Sequence, residues 1–280
     1  MFDMRYHIAS LVAVFLALTV GLLLGSLIAD KGVIANQQEK LVESIRSDIR
    51  DMGEENVALR AKLQQLDDFQ SQVLPIAVKN RLTGKKAAVV ALTPDQGGLV
   101  AEISRVLEAA GAVAVPVRID ILKIDFSDNN LVARLSSKFD AGGAQGGDFE
   151  RRFWSRLAAE LAGREPPALT NELIAMNLVQ VDPANLPLDS AVVLAPGDKK
   201  IGNRDALVLE ALVQTGQVYV IGAETVNAKP SRIAVYKLRN VSTVDNIETI
   251  PGKIALVYLL ENREPTAHYG AKSTADKLLP

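Results

Sequence analysis

The stretch I-A-S-L-V-A-V-F-L-A-L-T-V-G-L-L-L-G-S-L-I-A, Ile8 to Ala29, contains no charged residue. A helix rises 1.5 Å per residue, so about 22 residues reach roughly 33 Å, enough to cross a hydrocarbon core of about 30 Å. The Leu, Ile, Val and Phe side chains favour insertion by about 4 to 8 kcal/mol, more than Ser10, Thr19 and Ser26 cost. The segment is therefore expected to be a transmembrane helix that tethers everything after it. A cleaved signal peptide is the alternative. Against it, the apolar run exceeds the roughly 7 to 15 residues of a signal core, and Leu27 stands where an A-x-A-like site needs a small residue before Ala29. Arg5 on one side faces Asp30, Lys31 and Lys40 on the other, so positive charge barely sets the orientation. A cytoplasmic N-terminus is expected because so short a flank leaves the bulk of the chain to be exported.

The same helix carries small residues four apart: Ala9, Ala13, Ala17, Gly21, Gly25 and Ala29. Small side chains let helix backbones approach closely in lipid, where packing replaces the hydrophobic effect as the driving force. Four residues advance a helix by about 400°, so the stripe drifts and one crossing holds only a few of its members. Ala17, Gly21 and Gly25 are the expected interface. The alternative is that Ala and Gly are simply frequent in membrane helices.

After Asp30-Lys31-Gly32 the composition turns polar and the apolar period becomes seven. Ile45, Met52, Leu59, Leu66 and Val73 occupy d positions, and Val42, Ile49, Asn56, Leu63 and Gln70 occupy a positions. Asn56 at an a position is the device that fixes register in a two-stranded coiled coil. A dimeric coiled-coil stalk is expected. One amphipathic helix lying on the following domain is the alternative.

Downstream the grammar changes again. Ala87–Leu92 is an apolar run of strand length, Thr93-Pro94-Asp95-Gln96-Gly97-Gly98 is turn chemistry, and Leu99–Ala110 has helical spacing closed by Gly111. Ala112–Ile119 completes a β-α-β unit, whose crossover should be right-handed. Helices are expected near Asn129–Phe139, Phe149–Ala162 and Leu169–Leu178, with Trp154 in the core and a flexible loop over Asp140–Gly147. That loop has neither G-x-G-x-x-G nor G-x-x-x-x-G-K, so a phosphate cradle is disfavoured. Ala191–Ala195 and Gln217–Ala223 are further strands around a helix from Asn203 to about Thr215, and Pro251 opens a helix over Lys253–Glu261. The alternation predicts an α/β fold with a Rossmann-like open sheet flanked by helices. The expected organisation is a flank over 1–7, the transmembrane helix over 8–29, the stalk over 33–82 and an extracytoplasmic α/β domain over 85–280.

Composition bounds function. The 280 residues are 48% hydrophobic and 23% charged, which excludes a disordered chain. A net charge of −2 gives no field for nucleic acid, and the absence of cysteine excludes disulfides and thiol catalysis.

The motifs Y-H-I-A-S-L-V-A-V-F-L-A-L-T-V-G-L-L-L-G-S at Tyr6 to Ser26, V-S-T-V-D-N-I-E-T-I-P-G-K-I-A-L-V-Y at Val241 to Tyr258 and H-Y-G-A-K at His268 to Lys272, with a coiled coil between, resemble the MctB family of bacterial copper transport proteins from end to end. The resemblance implies a role in copper homeostasis and a C-terminal domain outside the cytoplasm. Related envelope proteins called SteB are similar in architecture, and that branch is linked to cell division and partners a membrane protein called SteA. A hetero-oligomer with a SteA-like protein therefore stands beside the parallel homodimer as an expected partnership.

The residues offer little copper chemistry. Copper(I) prefers soft sulfur and imidazole, and the chain has no Cys, two His and four Met. Met4 and His7 lie one helical turn apart beside the membrane and are the candidate metal ligands, with Met1 near. The alternative places Tyr6 and His7 as interfacial anchors. No resident cofactor is evident. Neither His7 nor His268 stands in a nucleophile-elbow context, so no enzymatic activity is expected. Asp245 and Glu248 in T-V-D-N-I-E form a possible ligand loop, with helix capping as the structural alternative.

Overall fold

The computed structural model describes residues 4–139, 143, 146–197 and 201–280, with backbone alone for 29–36. The chain divides into two compact units, Met1–Asp68 and Phe69–Pro280. Helix α1 (Met4–Val78) supplies all the described structure of the first. Its segment Met4–Ile28 is long and apolar enough to cross a membrane, and none of it is buried.

The second unit is a seven-stranded sheet with helices on both faces. In chain order its elements are β1 (Lys86–Ala91), α2 (Gly97–Ala109), β2 (Val113–Ile119), α3 (Asn129–Ser136), α4 (Gly146–Leu161), α5 (Ala168–Ala175) and β3 (Val179–Gln180). Then come β4 (Ser190–Leu194), α6 (Arg204–Gln214), β5 (Tyr219–Ala223), α7 (Ile233–Lys237), β6 (Ser242–Val244), α8 (Ile250–Asn262) and β7 (His268–Tyr269). The strand order is β3-β2-β1-β4-β5-β6-β7. Every pairing is parallel except the one between β2 and β3.

The continuous apolar run of β1 has a direct structural cause. Successive side chains point to opposite faces of a sheet. Ala88 and Val90 enter one core, with Phe149, Phe153, Trp154, Leu169 and Leu209, while Ala87, Val89 and Ala91 enter another, with Ile103, Leu107, Leu256 and Leu260. A strand covered on both faces must be apolar throughout. Trp154 is in the core as expected, stacked edge-on against Phe153 at 4.8 Å. The last turn of α1 joins the second core through Val78, with Leu74 packed against it, and Leu82 follows just downstream.

Several boundaries differ from expectation for local reasons. The helix expected to reach Leu178 stops at Ala175, because Asn177 turns left-handed (φ 55°) and Val179 then pairs antiparallel with Ile119. The helix expected to reach Phe139 stops at Ser136. Helix α8 begins at Ile250, where the Thr249 hydroxyl accepts from the Gly252 N–H and Pro251 occupies the first turn. Strands β3, β6 and β7, of two or three residues each, were not among the expected elements. Of the glycine-rich loop expected over Asp140–Gly147, residues 140–142, 144 and 145 lie outside the described residues, as does Met1.

Candidate functional site

In an open parallel sheet, ligands bind beyond the carboxyl ends of the strands where the order reverses, which here is the crevice between β1 and β4. Among the described residues, the Gln96 side chain bridges the two strand ends there. Gln96, 8% exposed, accepts at Oε1 from the Leu92 N–H (2.8 Å) and the Thr93 N–H (3.2 Å), and its Nε2 donates to the Ala195 carbonyl (3.0 Å). One amide thus satisfies three backbone groups and stitches β1 to β4. Beside it, a cavity of about 300 Å³ is lined by Thr93, Gly97, Arg118, Asp120, Lys123 and Gln180, with Asp120 and Lys123 paired at 2.7 Å.

Among the described residues, buried Asp205, Glu224 and Asp245 gather around the segments that follow β5 and β6. Asp205, fully buried, receives the guanidinium of Arg232 as a fork with two contacts of 2.7 Å, and the Tyr236 hydroxyl donates to it at 2.8 Å. The hydrogen bond to Asp205 raises the Arg232 pKa. Burial, reinforced by the Asp205 charge, pushes the Tyr236 phenol well above its usual range. Glu224, 1% exposed, accepts from the Ser231 hydroxyl (2.6 Å), the Arg232 N–H (2.7 Å) and the Lys272 ammonium. Lys272 also donates to the Thr225 carbonyl at 3.0 Å. A buried pair of this kind is costly to break, about 3–5 kcal/mol when one partner is removed, because the survivor is left charged and unpaired.

Asp245 belongs to the same assembly. Its carboxylate is 1% exposed and accepts from the N–H of Ala271 (2.7 Å) and of Lys272 (3.1 Å). Gly270 passes so close that a Cβ there would lie 1.9 Å from Asp245 Oδ1. The segments V-S-T-V-D-N-I-E and H-Y-G-A-K, distant in sequence, therefore meet as adjacent strands β6 and β7, with Asp245 holding the turn that follows. Glu248 accepts at Oε1 from the Val226 N–H (2.9 Å), while its Oε2 is buried without a partner. Asp245 and Glu248 are thus engaged with backbone, the first with the C-terminal segment and the second with the loop after β5.

The remaining candidates lie on α1. Met4 and His7 share its exposed N-terminal face, and Met4 is 75% exposed. Among the described residues, no atom outside the helix approaches within 4 Å of where a Cβ on Gly21 or Gly25 would be. Ala17 is exposed, and Asn56 donates to the Met52 carbonyl of its own helix at 3.3 Å. Met52 is 64% exposed, Met176 packs against the first core, and His268 Nδ1 lies 3.0 Å from the Thr243 hydroxyl. Among the described residues no group of three or more His, Cys, Asp or Glu side chains is arranged to hold a metal ion.

Gln96, Asp205, Glu224 and Arg232 are not distinguished in the sequence from ordinary polar residues, and Lys272 stands there only as the last residue of the H-Y-G-A-K motif. One faint signal existed, the acidic Glu224 placed directly after the apolar run Gln217–Ala223, where a buried strand end needs a partner for any charge it carries.

A family model described as "Copper transport outer membrane protein, MctB" matches residues 1–280. The chain is 28% identical over 321 residues to the protein named Copper transporter MctB of Mycobacterium tuberculosis (strain ATCC 25618 / H37Rv), covering 96% of each chain. The protein of that name from Mycobacterium bovis aligns with the same identity and coverage.

Proposed function

Since the chain belongs to the MctB family, we propose that it serves copper homeostasis as a single-pass, membrane-anchored envelope protein. In this reading its N-terminus is cytoplasmic and a Rossmann-like domain stands outside. The observation that carries the reading is the end-to-end relation to proteins named copper transporters, at 96% coverage of both chains. The strand order, with its reversal between β1 and β4, supports the Rossmann-like assignment. The apolar span Met4–Ile28 supports the anchor.

The role is exercised with other components, not by a pore within this chain. One helix cannot line a channel, and Met4–Ile28 offers no carboxylate along the bilayer core to relay an ion. Direct binding, where it occurs, runs through Met4 and His7. The domain acts without catalysis: Gln96 occupies the crevice where an α/β enzyme holds its ligand, and His268 is engaged by Thr243. Deleting the gene is expected to change cellular copper content and copper tolerance, and the wild-type gene to restore both. Unchanged copper content and tolerance in the deletion strain would sink the reading. Titration of copper(I) under anaerobic, reducing conditions into the full-length protein in detergent, and into Met4→Leu/His7→Gln, tests direct binding. Saturable submicromolar binding lost in the variant assigns it to that pair.

A second reading is a SteB-like envelope scaffold in division or wall processes, which binds a membrane partner such as a SteA-like protein. The observation in its favour is the row of exposed apolar side chains on α1 downstream of the membrane segment.

A further inference from the structure

We propose that the face of α1 between Val42 and Leu66 is the seam of a parallel, in-register, two-stranded coiled coil with a second copy of this chain, and that the seam closes at Leu66. The proposal is independent of the copper reading.

Among the described residues, nothing covers an apolar stripe on α1. Val42, Ile45, Ile49, Met52, Leu59, Leu63 and Leu66 are between 47% and 64% exposed. They fall on the a and d positions of one heptad frame, so they lie in a single line along the helix. A lone helix gains most of its stability from packing an apolar face, and among the described residues nothing packs on this one. Asn56 at a central a position favours two strands, as do β-branched Val42 and Ile49 at a and Leu59 and Leu66 at d, while Ile45 at d and Leu63 at a do not carry that preference.

Charge then selects the second copy and its direction. In a parallel dimer each g residue faces the e residue five positions on in the other strand. Glu55 meets Arg60 of the other copy, Lys62 meets Asp67, and Asp48 meets the uncharged Gly53, so no like charges face each other in these pairs. The two Asn56 amides face each other across the axis and can exchange a hydrogen bond. An antiparallel pair would set each Asn56 against an apolar d residue. The span Met4–Ile28 imposes the same direction, since two copies inserted in one membrane leave it on the same side.

The stripe continues in phase beyond Leu66, and there its surroundings change. Gln70, Val73 and Ala77 are half-buried, Leu74 packs against the second core, and Val78 is 1% exposed. The helix face that would continue the seam is taken up by the chain's own α/β unit.

The chain contains no cysteine, so single cysteines report the seam directly. In membranes carrying the full-length protein, Ile49→Cys, Leu59→Cys and Leu63→Cys are each expected to give a disulfide-linked homodimer on mild oxidation. Glu54→Cys and Ala61→Cys, on the opposite face, are expected to give at least tenfold less, and so is Val73→Cys. Crosslinking at only one of the three seam positions indicates an antiparallel pair and overturns the proposal. No homodimer at any of them, or a product of another mass, places a different protein or nothing on the seam and overturns it equally. Efficient crosslinking at Val73→Cys overturns the closure at Leu66. Glu55→Lys should lower the yield from Leu59→Cys several-fold, and Glu55→Lys/Arg60→Glu should restore it. Failure of that rescue removes the charge pairing from the argument.

Discussion

Leu59 and Leu107 are the same residue in two helices of one chain, the first 50% exposed and the second not at all. The difference holds for the regions around them. Upstream of Asp68 the described apolar side chains stand open; downstream, both faces of a sheet are sealed, and buried Asp205 and Glu224 are paired with Arg232 and Lys272. The α/β unit carries its own solvent-excluded interior, whereas the apolar side chains of the upstream helix are not covered by any of the described residues. In the proposed dimer, stability of the first region is set by surroundings and concentration, and that of the second by internal contacts.

Breaking a buried charge pair should separate the regions most sharply. Asp205→Ala leaves Arg232 and the Tyr236 hydroxyl without their partner in a dry site, at a cost of about 3–5 kcal/mol. Denaturant unfolding of the full-length protein in detergent, followed by Trp154 fluorescence, is expected to show this loss as a lower midpoint. An unchanged midpoint would mean that water reaches Asp205.

A smaller effect is expected at the junction of β6 and β7. Gly270→Ala drives a Cβ into the Asp245 carboxylate and should cost about 1–3 kcal/mol by displacing the turn that Asp245 holds. Gly97→Ala, where the new Cβ meets nothing within 4 Å, is the matched control and should stay within about 0.5 kcal/mol.

The pH dependence from His268 is smaller still. Burial lowers its pKa below 6.5, helped by the nearby Lys237 charge and opposed by Asp276. The unfolded chain therefore binds more protons in the window just below 6.5, so this contribution is complete above pH 6.5 and is lost as pH falls through that window. The ring is partly solvated, which keeps the effect small. Comparing unfolding midpoints at pH 7.5 and 5.5, His268→Gln should show a shallower decline than the wild type. An equal or steeper decline would remove His268 from the account.

What was legible in the sequence follows the same division. Period and length are local properties, so the long apolar helix segment, the seven-residue period and the apolar strands β1, β2, β4 and β5 could be read directly. The short strands could not, because Ser242–Val244 and His268–Tyr269 owe their extension to each other and to β5 across more than twenty residues of chain. The candidate site was legible in location and not in role. Asp245 is expected from the sequence in a loop that leads into a helix, but its partners are backbone N–H groups of Ala271 and Lys272, which sequence does not distinguish from any others. Gln96 was hidden for the same reason, since its three partners are main-chain atoms.

The smallest effect expected on the α/β unit is the one that tests the division itself. Leu59→Asp places a charge on the seam, where a paired helix would bury it, and in that state an unpaired carboxylate is costly. Homodimer crosslinking through Leu63→Cys should therefore fall at least tenfold in the double variant. The unfolding midpoint reported by Trp154 should not move by more than about 0.5 kcal/mol, because Leu59 lies in the other unit and contributes nothing to either core. A matching loss in both measurements would mean that the stalk stabilises the sheet. The two regions would then be one cooperative structure, and the contrast between Leu59 and Leu107 would be one of exposure alone.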